Sequence, residues 1–210
     1  DGKPPELKNK TQEKRQEAKD EAREKYELAV KEEDIESMGK YAKSLTKLND
    51  EMIEESKELL KALGIAVIQA PGEGEAEASY LTRKNKLYAV GSQDYDSLLF
   101  GASRLIQNLT LARKRKTFSG FVYINPEIIE LEKVLNSLEI NLDQLICIGI
   151  LVGTDYNPRG VPGIGQKKAL DLVRKFKQPV LIFKEIEERI HSLPEEDRFD
   201  WKEIFELFHK

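Results

Sequence analysis

Between Ile65 and Gly91 the chain reads IAVIQAPGEGEAEASYLTRKNKLYAVG. Two short apolar runs, 65–70 and 87–91, flank a segment of helical character over 73–84. Strand, helix, strand at this spacing predicts a βαβ unit with a parallel sheet, because a crossover helix lets consecutive strands run the same way. Each run is followed by acid. Glu73, Glu75 and Glu77 come after the first, and Asp94 and Asp96 in SQDYDS come after the second. Both clusters would leave the C-terminal ends of neighbouring strands, the edge where open α/β sheets bind ligands. Asp155, in LVGTDYN, is a third acidic position and follows an apolar helix expected over 141–152.

Acidic residues at helix starts often only cap, since a carboxylate accepts orphan N–H groups and offsets the helix dipole. Two pairs on adjacent strand ends plus a third acidic turn exceed that need. So much negative charge in one place is costly unless a cation neutralises it. No His or Cys lies nearby, so the donors are hard oxygens, which suit Mg²⁺ or Mn²⁺ and not Zn²⁺. Magnesium on a few carboxylates typically acts on phosphates, and two such ions can serve an in-line displacement.

The rest of the chain is mainly helical in pattern. Most positions between 6 and 34 are charged, with no Pro or Gly, which predicts a long solvated helix. Lys8, Arg15, Lys19 and Arg23 share one side, acids the opposite side, and Ala18, Ala22, Tyr26 and Ala29 form a thin stripe. Ion pairs such as Glu21–Lys25 and Glu27–Lys31 would lace the surface; alternatively, the basic side tracks a polyanion. Further helices are expected over 34–45 and 50–63, the latter with Met52, Ile53, Leu59, Leu60 and Leu63 inward and Gly64 as its stop. A short helix starts within 94–100. RLIQNL (104–109) and FVYI (121–124) read as strands of an edge hairpin. From Pro126 onward helices are expected over 126–138, 141–152, 164–176, 179–191 and 200–209.

Net charge is −4, so any nucleic-acid binding must come from local charge rather than bulk charge. Hydrophobic residues make up 40% and charged residues 34%, a globular composition whose Lys and Glu surplus resembles that of heat-adapted proteins. The single Cys147 cannot form an internal disulfide, which predicts an intracellular protein, and no apolar run is long enough to span a bilayer. The chain begins with Asp rather than Met, so a natural N-terminus is not expected at residue 1.

A second candidate site lies in GTDYNPRGVPGIGQKKALDLVRKF, residues 153–176. Gly163 and Gly165 open a helix whose first turn carries Lys167 and Lys168. Exposed N–H groups beside lysines form an anion site. A helix hairpin needs glycine in any case, but the lysines and the neighbouring Asp155 favour backbone-phosphate binding, which carries no base-sequence information.

Together, DGKPPELK, APGEGEAEAS, SQDYDSLLFG and GTDYNPRGVPGIGQKKAL resemble the flap endonucleases, within the XPG-type structure-specific 5′ nucleases, in the family's order and spacing. The longer turn DYNPRGVPGIG looks archaeal. The resemblance implies an α/β fold: a mostly parallel sheet between helices, a helical arch over roughly 8–60, sheet and metal site over 65–125, and a helical part over 126–210. That last part would contain a helix-turn-helix DNA-binding element. It matches the metal carboxylates to Asp1, Glu73, Glu75, Asp94, Asp96 and Asp155, leaving Glu77 outside the set. It matches the phosphate-steering cations to Lys8 and Arg15. It implies two Mg²⁺ ions, replaceable by Mn²⁺, and a monovalent cation at the glycine hairpin, which would grip duplex backbone with help from Lys19 and Arg23 on the arch.

The implied activity is hydrolysis of DNA at 5′ flaps, nicks or gaps in replication and repair, with no membrane partner. The implied location is cytoplasm and nucleoid for an archaeal protein, or nucleus for a eukaryotic one. Family members also carry a preceding segment, with another metal aspartate, and a tail that binds the sliding clamp; both are expected outside this chain. The rival expectation is a duplex-DNA-binding fragment with a cation site and no turnover. A gap-filling exonuclease of the same family is nearer.

Overall fold

The computed structural model describes residues 1–3, 5–45, 48–109, 114–118 and 120–209. They form two compact units: residues 4–69, and residues 1–3 with 70–210.

In the first unit, the 3₁₀ turn Glu6–Lys8 leads into α1 (Asn9–Lys31), followed by α2 (Ile35–Leu45) and α3 (Asp50–Ala62). α1 packs on α2, and its alanine stripe explains how: Ala22 and Ala29 are buried, their small side chains letting the helices approach. Asp34 caps α2, its Oδ1 accepting the amides of Glu36 and Ser37 at 3.1 Å each. Asn49 caps α3 by accepting from Met52 N–H at 2.7 Å. Glu21 and Lys25 pair at 3.4 Å as expected, whereas among the described residues no ion pair joins Glu27 and Lys31. Gly64 ends α3 in the left-handed conformation at φ +73°. The expected inward face of α3 is corrected: the helix buries none of its residues, and Leu59 and Leu63 stay 61% and 66% exposed.

The strand expected over 65–70 does not form. Among the described residues no strand occupies this run, and Ile65 and Ile68 are 50% and 60% exposed. A β-branched run becomes a strand only where a neighbour satisfies its N–H and C=O groups. The parallel unit instead lies one element further along. β1 (Val90–Gly91) pairs in parallel with β2 (Arg104–Gln107), Val90 opposite Leu105, and the segment between them carries a helix of its own.

β2 then pairs antiparallel with a strand from the region expected to be helical, Glu127–Glu130, which places Ile106 opposite Ile128 and Leu105 opposite Ile129. The apolar cross-strand pairs account for this choice over a helix start. The edge hairpin is corrected too: β3 (Lys114–Thr117) pairs with β4 (Gly120–Tyr123), and neither joins β2. With Glu127–Glu130 as β5, the three-stranded sheet has order β1-β2-β5 and is mixed rather than mostly parallel.

Helices supply the rest of this unit: α4 (Gly74–Arg83), α5 (Asp96–Leu99), α6 (Leu131–Leu138), α7 (Leu142–Val152), α8 (Gln166–Phe176), α9 (Pro179–Glu185), α10 (Glu187–His191) and α11 (Trp201–Leu207). The helix expected over 179–191 breaks at Ile186. Val90, Leu98, Ala102, Leu105 and Leu131 form a core between sheet and helices. α7 is central to the helical part. It is nearly all apolar, opens with an Asn141–Gln144 capping box, and packs on α5, α8, α9 and α11. A Cβ on Gly149 would come within 2.8 Å of Leu99 Cδ1, so glycine permits the close α5–α7 contact. Among the described residues no single helix is long and apolar enough to cross a membrane.

Candidate metal centre and nucleic-acid interface

The carboxylates at the start of α4 arrive on a segment outside the sheet's described strands. Glu73 is the N-cap residue of α4, yet its side chain does not cap. Asp1 takes that role, its Oδ1 accepting Gly74 N–H at 2.6 Å, while Gly2 N–H donates to Gly72 O at 2.5 Å. A Cβ on Gly2 would sit 2.4 Å from Pro71 O, so the close approach of residues 1–2 requires glycine there.

Glu75 lies in the first turn of α4. Its Oε1 accepts the Ser92 hydroxyl in a very short hydrogen bond. Ser92 Oγ in turn accepts Asp94 N–H at 3.0 Å, and Asp94 Oδ1 accepts Asp96 N–H at 3.2 Å. A single serine therefore joins the two acidic motifs. The core supports the link, with Ser79 Oγ of α4 lying 3.1 Å from Ser97 O of α5. Ser92 was missed from the sequence; its place two residues before Asp94, where a hydroxyl closes a local turn, was the available signal.

The third acidic position enters through Tyr156. Burial pushes the phenol's pKa far up, and the charge of Glu73, a hydrogen bond to Glu73, and the charges of Asp96 and Asp155 push it the same way. Tyr156 therefore stays protonated, under the influence of Glu73. Its ring is held edge-on by Phe208 at 5.6 Å. The turn that carries it is tightly specified: Asn157 Oδ1 accepts Thr154 Oγ1–H at 2.8 Å, and Asn157 Nδ2 donates to Ile150 O at 2.7 Å. Gly160 has φ +54°, and a Cβ there would meet Val152 O at 2.4 Å.

The charges of Glu73, Asp96 and Asp155 thus all act on one phenol, and Glu75 and Asp94 share one serine. Among the described residues, no three His, Cys, Asp or Glu side chains are arranged to hold one ion. Asp1, Glu75 and Asp94 each accept an N–H or O–H, so part of their charge is already met. The all-oxygen donor set fits a hard divalent cation, which would take over bonds now made by Ser92 Oγ–H and the Gly74 amide.

Lys8, Arg15, Lys19 and Arg23 belong to the other unit. Lys8 ends the 3₁₀ turn, and Arg15, Lys19 and Arg23 are exposed on α1. In the glycine hairpin, Gly163 has φ +77° and Gly165 is the N-cap of α8, with no side chain capping that helix. A Cβ on Gly165 would meet nothing within 4 Å, so the backbone there is open. Lys167 is exposed, and Lys168 Nζ donates to Gly163 O at 3.0 Å. The structure therefore places Lys168 on its own turn, where the sequence offered it to phosphate.

Residues 64–155, which include both acidic motifs and Asp155, match the family model described as the XPG I-region. Flap endonuclease 1 of Pyrococcus furiosus is 52% identical over 185 residues, covering 87% of this chain and 54% of that protein. Flap endonuclease 1 of Sulfolobus acidocaldarius is 50% identical over 210 residues, covering 99% of this chain and 59% of that protein. These are homologues over most of the chain, and the chain spans a little over half of their length. Among solved structures, flap endonuclease-1 from Methanococcus jannaschii matches at TM-score 0.63 and 42% identity, over 86% of this chain and 50% of that one. The catalytic core of Rad2 in complex with DNA substrate matches at TM-score 0.59 and 21% identity, over 100% of this chain and 57% of that one. The α/β arrangement of helices around a small sheet is thus the fold of the flap endonuclease and XPG nucleases.

Proposed function

We propose that this chain is the central part of a structure-specific 5′ flap endonuclease that hydrolyses DNA phosphodiesters with divalent metal ions. The observation that carries this reading is the Glu75–Ser92–Asp94 link between the two acidic motifs, with the charges of Glu73, Asp96 and Asp155 all felt by Tyr156. Homology to flap endonucleases at about half identity supports it. Asp1, Glu73, Glu75, Asp94, Asp96 and Asp155 would hold two Mg²⁺ ions, or Mn²⁺ in their place. Bound there, the ions supply Lewis-acid charge for in-line displacement at phosphorus. Tyr156 keeps Glu73 oriented, and Ser92 keeps Glu75 and Asp94 in register.

Lys8 and Arg15 would offset the charge that develops on the phosphate. Residues 8–60 would form the arch over the single-stranded flap, with Lys19 and Arg23 on its basic side. Residues 65–125 would provide the sheet and metal site, and residues 126–210 the helical part. Within that part the hairpin from Gly163 to Lys168 would act as a helix-turn-helix element that grips duplex backbone, assisted by a monovalent cation.

A second reading, a duplex-binding module with a cation site and no turnover, is favoured by one observation: among the described residues no three acidic side chains yet converge on one ion position. One experiment separates them. The chain is titrated with Mn²⁺ by calorimetry and then given a 5′-flap duplex with Mg²⁺. Cation binding lost in Asp96→Asn and Asp155→Asn, with cleavage at the flap junction, supports the nuclease. Cation and duplex binding without cleavage, even with the preceding family segment supplied, supports the module.

A further inference from the structure

We infer that Arg189, on α10, is an additional phosphate ligand of the glycine hairpin; the inference rests on the hairpin's proposed grip on duplex backbone. Arg189 is distant from the hairpin in sequence, and no motif marks it. Its guanidinium nonetheless faces the turn: a Cβ placed on Gly163 would come within 3.9 Å of Arg189 Nη1 and meet nothing nearer. Arg189 shares with Ile164, Lys168 and Lys175 an open hollow of about 330 Å³ directly behind the turn.

Lys167 is open to solvent like Arg189, while three other cations around the turn are already engaged. Arg159 is bound at 2.6 Å by Asp197, whose side chain is only 6% exposed. Lys168 donates to Gly163 O at 3.0 Å. Lys175 Nζ sits 4.6 Å from the Phe176 ring centre. Asp171 and Glu185 line the same hollow, but among the described residues no ion pair joins either to Arg189. Arg189 lines the hollow and is exposed, so its charge is open to solvent.

An open glycine backbone with an unengaged guanidinium at its edge suits a phosphodiester. The planar fork can donate two N–H bonds to phosphate oxygens, where an ammonium acts as a point charge. The contact would be blind to base sequence and would release counterions on binding. The hollow is too mixed in charge to favour a free multivalent anion, which would face Asp171 and Glu185 once it left the rim.

The test is duplex binding by the whole chain across a salt series, using two 20-base-pair duplexes of unrelated sequence. Arg189→Ala should weaken both about tenfold. It should also reduce the slope of log affinity against log salt by about 0.9, the signature of one lost phosphate contact. Arg189→Lys should restore the slope and only part of the affinity. Lys167→Ala serves as the control for the hairpin itself. If Lys167→Ala lowers the slope and Arg189→Ala does not, Arg189 is no ligand and the hairpin reading stands. If neither variant changes the slope, the hairpin reading fails and this inference fails with it. Weaker binding with an unchanged slope and a lowered urea midpoint would make Arg189 structural and overturn the assignment.

Discussion

Burial and the charge of Glu73 together hold the phenol of Tyr156 protonated, which couples the turn after α7 to the start of α4. Tyr156 is only 6% exposed, so the coupling acts where water competes little. Removing a buried hydroxyl that helps to solvate a carboxylate costs about 1–3 kcal/mol. Tyr156→Phe should therefore lower the stability measured by urea unfolding in metal-free buffer by that amount. Saturating Mg²⁺ should recover part of the loss, because a cation beside Glu73 replaces the missing donor. Equal losses with and without Mg²⁺ would show that Tyr156 is not adjacent to a cation site.

Asp1 combines two roles that substitution can separate. Its carboxylate caps α4 through Gly74 N–H, and its charge is offered to a cation. Asp1→Asn keeps an oxygen acceptor, so the melting temperature should hold while Mn²⁺ affinity falls. Asp1→Ala should lose both, the cap being worth about 0.5–2 kcal/mol. Calorimetric titration and thermal melts on the two variants check this. Unchanged Mn²⁺ affinity in Asp1→Asn would leave Asp1 as a cap only.

Arg15 is proposed to serve chemistry more than affinity. In the complete nuclease, Arg15→Ala should reduce turnover on a 5′-flap duplex by about 2.7–4 kcal/mol of barrier, the usual cost of deleting one charge-stabilising donor. Substrate affinity should change far less. Single-turnover kinetics with a separate binding isotherm resolve the two quantities, and parallel losses would reassign Arg15 to plain binding.

The acidic clusters and the glycine hairpin were legible in the sequence because their chemistry is local: carboxylates beside helix starts, and glycines where φ turns positive. Sheet topology was not legible. Nothing local in EIIE distinguishes a helix start from a strand, and what decides it is the distant β2, whose Leu105 and Ile106 meet Ile129 and Ile128. The run 65–70 failed in the opposite direction, since its β-branched residues signal a strand that needs a partner to exist. Ser92 and Tyr156 were missed for a similar reason. Each matters through a residue far along the chain, Glu75 or Glu73, and no spacing rule encodes that contact. Exposed apolar residues on α3 follow the same logic, because amphipathic periodicity marks a face without naming what covers it.

Cys147 gives a pH-dependent test of the α7 core. It is fully buried, and burial, with a smaller push from Asp143, raises its thiol from 9.0 to about 12. In the unfolded chain the thiol releases its proton near pH 9, while the native state keeps it. The unfolded state then binds fewer protons, so stability falls as pH rises. The contribution is complete below pH 9 and is lost between pH 9 and about 12. The slope approaches about 1.4 kcal/mol per pH unit. Lysines and tyrosines also titrate in this range, so the Cys147→Ala variant supplies the reference. That variant pays a constant cost for its cavity but lacks the thiol's titration. The stability gap between the native chain and the variant should therefore narrow as pH rises above 9, in urea unfolding at matched ionic strength. In the same range a thiol reagent should modify the folded protein far more slowly than the denatured chain, because the buried group is not a thiolate. Parallel stability curves together with rapid labelling at pH 8 would mean that α7 opens readily and that the buried core around Cys147 does not hold.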